Sequence, residues 1–468
     1  MIGMAPRFVK NTCYNGRAAR LVAKPTAGPA QSHPRLLSRA DMSIPEAPLV
    51  EKLLSRLSAP MAAALTETIK AAHRRGLSLY LVGGSVRDLL LERSHLDVDL
   101  AVEGDAASLA EEVATAAGAR LTVHRRFGTA SLRLPAGQAG GPDFGLDLAQ
   151  TRDEHYDRPG ALPSVRPAAI AQDLARRDFT VNALALGLAG PQAGRLLDPY
   201  DGQRDLAARR LRVLHERSFQ DDATRILRGL RYEGRLRFRF EATTQRLLCR
   251  NLSYLETISG PRLRRELLAI LAEDCPERIL ARAQALGVLP ALHPALSFDS
   301  RRSVAFAAAR GRPLAPLPEV YLCLLAAGAA PDQVEGALLR LALHGPWERA
   351  LRDALRLQEE APRLAAPGLR PSQVAAILEP LSAAAVAAQA LLASPDIVRR
   401  RLRQYLGDWR YRRSALRGRD LQALGVAPGP AMGQILSRLR VARLDGEARR
   451  REDEVKLVRA WQSAGPPS

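Results

Sequence analysis

The stretch Leu81–Asp105 reads LVGGSVRDLLLERSHLDVDLAVEGD, and it decides the fold. An apolar run ends at Val82, and Gly83–Gly84 breaks it. Ser85 is the expected N-cap of a helix that follows. A strand, a glycine turn and a helix start together present backbone N–H groups to an anion, and glycine allows close approach. Gly84 therefore reads as a phosphate-contacting residue. Arg87 falls in the first turn, where its guanidinium can add a bidentate phosphate contact. The pattern is neither a Walker loop nor a G-x-G-x-x-G fingerprint. Further on, Asp97 and Asp99 stand two apart in a second apolar run, so on a strand they project from one face. Two carboxylates so placed repel unless a cation sits between them. Hard oxygen ligands suit Mg2+. In a two-metal arrangement the ions lie roughly 3.5–4 Å apart and clamp attacking and leaving oxygens. Asp147, in the later run FGLDLAQ, is a candidate third carboxylate. A phosphate cradle beside a metal clamp describes nucleotidyl transfer; the bland alternative is a solvated strand end.

Working outward, the spacing predicts a helix over residues 50–75 and strands at Ser78–Val82, Val98–Val102, Ala119–Val123, Thr129–Leu134 and Phe144–Ala149. Helices are expected after Gly84 and over Ala106–Ala117. Thr151–Ala169, with three prolines among charged residues, reads as a long loop, and such loops are often functional. From Leu206 onward helical periods replace strands, at Asp221–Arg237, Thr243–Leu252, Pro261–Ala272 and Pro276–Leu286. The chain thus divides into a mixed α/β head at 50–205, a helical neck at 206–275 and a helical body and tail at 276–468. Residues 1–45 read as a disordered extension, or as one over-extended upstream of Met42.

Of 468 residues, 69 are Lys or Arg and 49 are Asp or Glu, a net charge of +20. That balance favours a polyanion such as RNA. Four scattered cysteines have no zinc or disulfide spacing and fit a reducing cytoplasm. No apolar run reaches the roughly 20 residues that span a bilayer, so no membrane association is expected. The Ala-rich Leu381–Ala393 reads as a buried helix. RRRLRQYLGDWRYRRSALRGR, Arg399–Arg419, interleaves Tyr405, Trp409 and Tyr411 with arginines and reads as an RNA surface.

Asp222, Arg225, Arg228 and Arg231 recur every three residues in DDATRILRGLRYEGRL, along one face of a helix. The simplest reading is an i,i+3 ion pair on a solvated face. The functional one is a protein template. A carboxylate accepts from the exocyclic amine of cytosine or adenine, and a guanidinium donates to the adjacent ring nitrogen. Guanine and uracil would set acceptor against acceptor, so the inventory selects C and A.

GGSVRD followed by LDVDL resembles the head signature of class II CCA-adding tRNA nucleotidyltransferases and the related bacterial poly(A) polymerases. DLARRDFTVNALAL, Asp173–Leu186, resembles that family's second motif; within it Thr180 and Asn182 can hydrogen-bond a ribose or a neighbouring loop. LLDPYDGQRDLAARRLR, Leu196–Arg212, resembles its connector from head to neck, and LRGRDLQALGVAPGPAMGQIL resembles its tails. The resemblance implies an α+β fold, a nucleotidyltransferase-type head followed by an all-α neck, body and tail. It implies that Arg177 contacts the nucleotide, that Asp222 and Arg225 read the base, and that Arg228 and Arg231 make further nucleotide contacts. Asp97 and Asp99 would be catalytic Mg2+ ligands. The implied partners are the tRNA 3′ end, CTP and ATP. Poly(A) polymerase, CC-only or A-only addition stay open, as does a non-catalytic RNA-binding module. In SGPRLRREL, Pro261 precedes Arg262 where the family commonly has Glu-Arg. No His-Asp pair occurs, so the resemblance does not extend to the metal phosphohydrolase domain of some relatives.

Overall fold

The apolar runs become one mixed sheet in the computed structural model, which describes residues 47–93, 97–134 and 144–463. The expected extension at 1–45 lies outside them. The helix expected over 50–75 is two, α1 (Ala47–Arg56) and α2 (Ala59–Arg74). Ser58 between them is extended, at φ −62° and ψ 152°, and Pro60 opens α2. Proline lacks an N–H and fits only a first helical turn.

Then come β1 (Ser78–Val82), α3 (Gly84–Leu90), β2 (Val98–Glu103), α4 (Ala106–Ala117), β3 (Arg120–His124), β4 (Thr129–Leu134) and β5 (Phe144–Gln150). Next are β6 (Arg152–His155), β7 (Ser164–Pro167), α5 (Ile170–Ala175), β8 (Ala185–Ala189) and β9 (Leu196–Leu197). The seven-stranded sheet runs β3-β4-β5-β2-β1-β8-β9. Only β2 and β5 pair in parallel among the main neighbours, and their register sets Asp99 opposite Asp147. Even-numbered β2 residues Val98, Leu100 and Val102 join Leu65, Leu109 and Val113 of α2 and α4 in the core. Odd-numbered Asp97 and Asp99 take the other face, where Tyr80, Val82 and Ala101 pack with Ile170 and Leu174 of α5. Asp105 caps α4 by accepting from the N–H groups of Ala107 and Ser108, and Gly118 ends it in the left-handed region.

Two expectations change here. Thr151–Ala169 is not an unstructured loop: β6 and β7 form a separate antiparallel hairpin, with Arg152 opposite Pro167. Its prolines fall in the turn and at the strand end, where no ladder bond is lost. Ser85 does not cap α3. Gly83 holds that place at φ +65°, and Ser85 turns its hydroxyl to the Asp99 N–H at 3.1 Å.

Among the described residues beyond β9 the regular structure is helical apart from one short two-stranded pairing and a single bridge from Val213 to Phe179. It runs through α6 (Gly202–Ala207), α7 (Ser218–Asp221), α8 (Thr224–Leu236), α9 (Ala242–Arg250) and α10 (Gly260–Leu271) to a last helix at Arg451–Ser463. The helix expected over Asp221–Arg237 breaks at Asp222, which is extended at φ −143° and ψ 99°. Gly229 lets α8 close on the head: a Cβ there would lie 2.7 Å from Phe179 and 2.8 Å from Phe240. The Ala-rich segment is a buried helix, Ala383–Leu392. Among the described residues no single helix is long and apolar enough to cross a membrane. The fold is α+β, a mixed head followed by helices.

Candidate active site

The start of α3, the start of β2, the β6–β7 hairpin, the segment Arg176–Asn182 after α5, and α8 surround a pocket of about 400 Å³. Gly84, Arg87, Asp97, Asp99, Arg177, Asp222, Arg225, Arg228 and Arg231 all line it. Nine residues spread over 148 positions of sequence are thereby brought to one cavity, from Gly84 to Arg231.

The glycine turn packs against arginines. A Cβ on Gly83 would stand 2.3 Å from Arg177 Nη1, and one on Gly84 would stand 3.4 Å from Arg87 Nη2. Arg87 is 2% exposed. It donates to Asn182 Oδ1 at 2.6 Å and to both Asp88 oxygens at 2.9 and 2.8 Å. Arg177 donates to Asp173 Oδ2 at 2.8 Å. Asp97 and Asp99 remain accessible from the pocket. The protein crowding Asp99, then the charges of Asp147 and Asp97, push its carboxyl above the usual range; Arg177 and Ser85 act against this. Asp147 accepts from Ser131 Oγ at 2.6 Å and pairs with Arg133 at 3.3 Å. Among the described residues no group of three His, Cys, Asp or Glu side chains gathers as a metal cage. Two accessible carboxylates crowded on one face still suit Mg2+, which usually takes one or two carboxylates and completes its shell with water and substrate phosphates.

On the opposite wall, Asp222 divides its two oxygens. Oδ1 accepts from the Thr224 N–H at 2.9 Å and starts α8, while Oδ2 pairs with Arg262 of α10 at 2.7 Å. Arg262 also donates to the Gly160 carbonyl of the hairpin at 3.2 Å, so the residue after Pro261 ties the hairpin, Asp222 and α10 together. Arg225 donates to Ser218 Oγ at 2.7 Å and to the Arg176 carbonyl at 2.8 Å. Arg228 pairs with Asp178 at 2.8 Å, and Arg231 approaches Glu273 at 3.6 Å. Burial alone would raise the Asp178 carboxyl; Arg228 and Asn182 reverse this and hold it down at about 2.

Several lining residues were not singled out from the sequence. Asp178, Glu154, Tyr156 and Tyr232 belong to this pocket, and Asn182, expected with Thr180 to bond a ribose or a neighbouring loop, lines it too. Asp178 had a signal, since it directly follows Arg177. Asn182 holds Arg87 and, through Nδ2, Asp178 at 2.9 Å. Thr180 instead turns inward to Asp205 at 2.6 Å.

The Arg399–Arg419 segment departs from a stacking surface. Tyr405 is 6% and Trp409 9% exposed, and both belong to the core. Of the three aromatics only Tyr411 is open, with the Arg410 guanidinium 4.5 Å from its ring centroid. The basic character survives beside it. Arg312, Arg399, Arg400 and Arg403 line a cleft of about 600 Å³ along the helix Asp396–Gly407.

A phosphate-scale pocket with paired carboxylates at the start of one strand of a mixed sheet defines a nucleotidyltransferase head. Residues 79–212 match the poly A polymerase head domain family, and residues 237–299 match the family described as the probable RNA and SrmB-binding site of polymerase A. The chain is 34% identical to the CC-adding tRNA nucleotidyltransferase of Deinococcus radiodurans, over 83% of this chain and 90% of that protein. It is 34% identical to the A-adding tRNA nucleotidyltransferase of Geobacter sulfurreducens over 89% of its own length, but spans only 49% of that relative. The structure resembles the Thermotoga maritima CCA-adding enzyme complexed with tRNA, at a TM-score of 0.67 and 29% identity, covering 88% of this chain and 98% of that one. The chain belongs to the tRNA nucleotidyltransferase family, and its enzyme class is nucleotidyltransferase.

Proposed function

We propose that this enzyme adds CCA, or part of it, to the 3′ end of tRNA from CTP and ATP. The RNA 3′-hydroxyl attacks the nucleotide α-phosphate, a new phosphodiester forms, and pyrophosphate leaves. The observation that carries this reading is the meeting of Asp222 and Arg225 with Asp97, Asp99, Arg87 and Arg177 around one cavity. A base reader, a phosphate cradle and a carboxylate pair are then within reach of a single nucleotide.

Seven arginines and six carboxylates line the pocket, a formal excess far short of the charge on a triphosphate. A divalent cation on Asp97 and Asp99 relieves that shortfall. Mg2+ bound there would supply electrostatic stabilisation of the phosphoryl oxygens. Arg87 and Arg177 orient the triphosphate beside the glycine turn, with further contacts from Arg228 and Arg231. Asp222 accepts from the amine of C or A, and Arg225 donates to the neighbouring ring nitrogen. Residues 50–205 serve as head, 206–275 as neck and 276–468 as RNA-binding body and tail. The cytoplasm suits such an enzyme and its unpaired Cys249, Cys275 and Cys323.

A restriction to A addition is the second reading, favoured by similarity to an A-adding protein across 89% of the chain. Incubation of two tRNAs, one lacking CCA and one already ending in CC, each with CTP, ATP and Mg2+, tests both. Sequenced products ending in CCA support the first reading, and extension only of tRNA already ending in CC supports the second. Absence of any added nucleotide on either tRNA overturns the assignment.

A further inference from the structure

Tyr232, one residue beyond Arg231 on α8, has no role in the chemistry above. Its side chain is 7% exposed and lines the pocket. Three guanidinium groups converge on its ring. Those of Arg87, Arg228 and Arg231 lie 5.4, 5.6 and 5.5 Å from the ring centroid. One comes from α3 in the head and two from α8. The hydroxyl accepts from Arg228 Nη2 at 2.9 Å, and Phe179 meets the ring edge-on with centroids 6.0 Å apart. Burial, then the Asp178 charge, push the phenol upward, so it stays protonated at neutral pH.

Each arginine has a carboxylate of its own: Asp88 for Arg87, Asp178 for Arg228 and Glu273 for Arg231. The tyrosine ring is the partner they share. Arg231 is the least satisfied. Its ion pair is long, at 3.6 Å, and its buried Nε has no hydrogen-bond partner among the described residues. A buried donor left without an acceptor is costly, so this N–H is open to a water or a ligand oxygen.

Three like charges around one point repel. A fourth carboxylate there would cancel the attraction for phosphate, and an aliphatic side chain would leave the repulsion unopposed. An aromatic face attracts cations while adding no charge. We infer that Tyr232 is a positioning residue that holds Arg87, Arg228 and Arg231 at the spacing that grips the phosphate tail of the incoming nucleotide. Its hydroxyl fixes the rotation of Arg228, and its ring fixes the distance of all three. The inference rests on the pocket being the triphosphate site.

The test keeps the ring's shape and varies its electrostatics. Tyr232→Phe removes the hydroxyl alone, and mono-, di- and trifluorinated phenylalanine at 232 then weaken the ring face stepwise. The probe is inorganic tripolyphosphate, titrated calorimetrically into the full-length protein. Tyr232→Phe should weaken binding about threefold, and each fluorine should weaken it by about a further twofold. KM for CTP and ATP should rise in the same order, with kcat changing less and tRNA affinity unchanged. A flat or rising affinity series overturns the inference, as does a fall in tRNA affinity parallel to that of the probe. If wild-type protein does not bind tripolyphosphate in competition with ATP, the triphosphate reading itself fails. That result is distinct from a flat series on a wild type that binds.

Discussion

Two arginine-rich regions of the molecule are built in opposite ways. In the pocket, Arg87, Arg177, Arg225 and Arg228 are each held by side-chain or carbonyl oxygens at 2.6–2.9 Å. In the cleft beside the helix Asp396–Gly407, Arg312, Arg400 and Arg403 are exposed and form no ion pair among the described residues. The first set has lost its rotamer freedom before any ligand arrives; the second still has it to lose. Fixed charge serves geometry and discrimination, and loose charge serves attraction at a distance. The +20 net charge is therefore not one property of the protein but two.

The contrast breaks most visibly at the carboxylates that the fixed arginines face. Asp97→Ala or Asp99→Ala should abolish nucleotide addition while leaving tRNA binding near wild type. Retention of more than about a tenth of the rate, a loss below ~1.4 kcal/mol, would remove that residue from the essential metal ligands. Asp222→Ala should change which nucleotide is used. A hydrogen bond to a charged group contributes ~1.5–3 kcal/mol, so preference for CTP and ATP over UTP and GTP should fall roughly ten- to a hundredfold. Single-nucleotide addition with each of four triphosphates reads this, and unchanged ratios would return the Asp/Arg face to an ordinary ion pair.

Asp178 sharpens the comparison through stability. Its folded value of about 2 lies below the usual ~3.9 of an unfolded aspartate. The contribution is thus fully present above that unfolded value and is lost as pH falls through the folded one. It amounts to about 2 kcal/mol at neutral pH. The stability gap between wild type and Asp178→Asn, from urea unfolding, should narrow by about half near pH 3. A gap independent of pH would show that the pair with Arg228 is not what holds the carboxylate ionised. The smallest effect belongs to the loose set. Arg400→Gln or Arg403→Gln should each weaken tRNA binding by only about two- to fivefold, and reduce the slope of log affinity against log salt by about one. Loss of nucleotide selectivity in either variant would erase the distinction between the two regions.

The strands of the head were legible because each is a short apolar run bounded by glycine, proline or charge. β8 was not, because an unbroken apolar segment carries no period to separate strand from helix. The residues that meet in the pocket were legible by type and spacing, yet the partners that hold them were not. Asn182, Arg262 and Tyr232 act on residues 95, 40 and 145 positions away, and no local pattern encodes such pairings. The hairpin hid for a related reason, since its prolines mark turns without revealing that the flanks pair. Trp409 and Tyr405 misled because interleaving with arginine says nothing about which side of a helix faces inward.

The divided carboxylate of Asp222 has a last consequence. One oxygen starts α8 and the other is already bonded to Arg262. On the function proposed here, an incoming base does not meet an idle acceptor; it enters a competition between donors. Cytosine and adenine bring an amine that can replace the guanidinium, so the exchange leaves the carboxylate satisfied. Uracil and guanine set a carbonyl where that amine would stand, acceptor against acceptor, and the incumbent stays. Selectivity then resides as much in the pair already made as in the one to be formed, and Arg262, released or retained, reports which base has arrived.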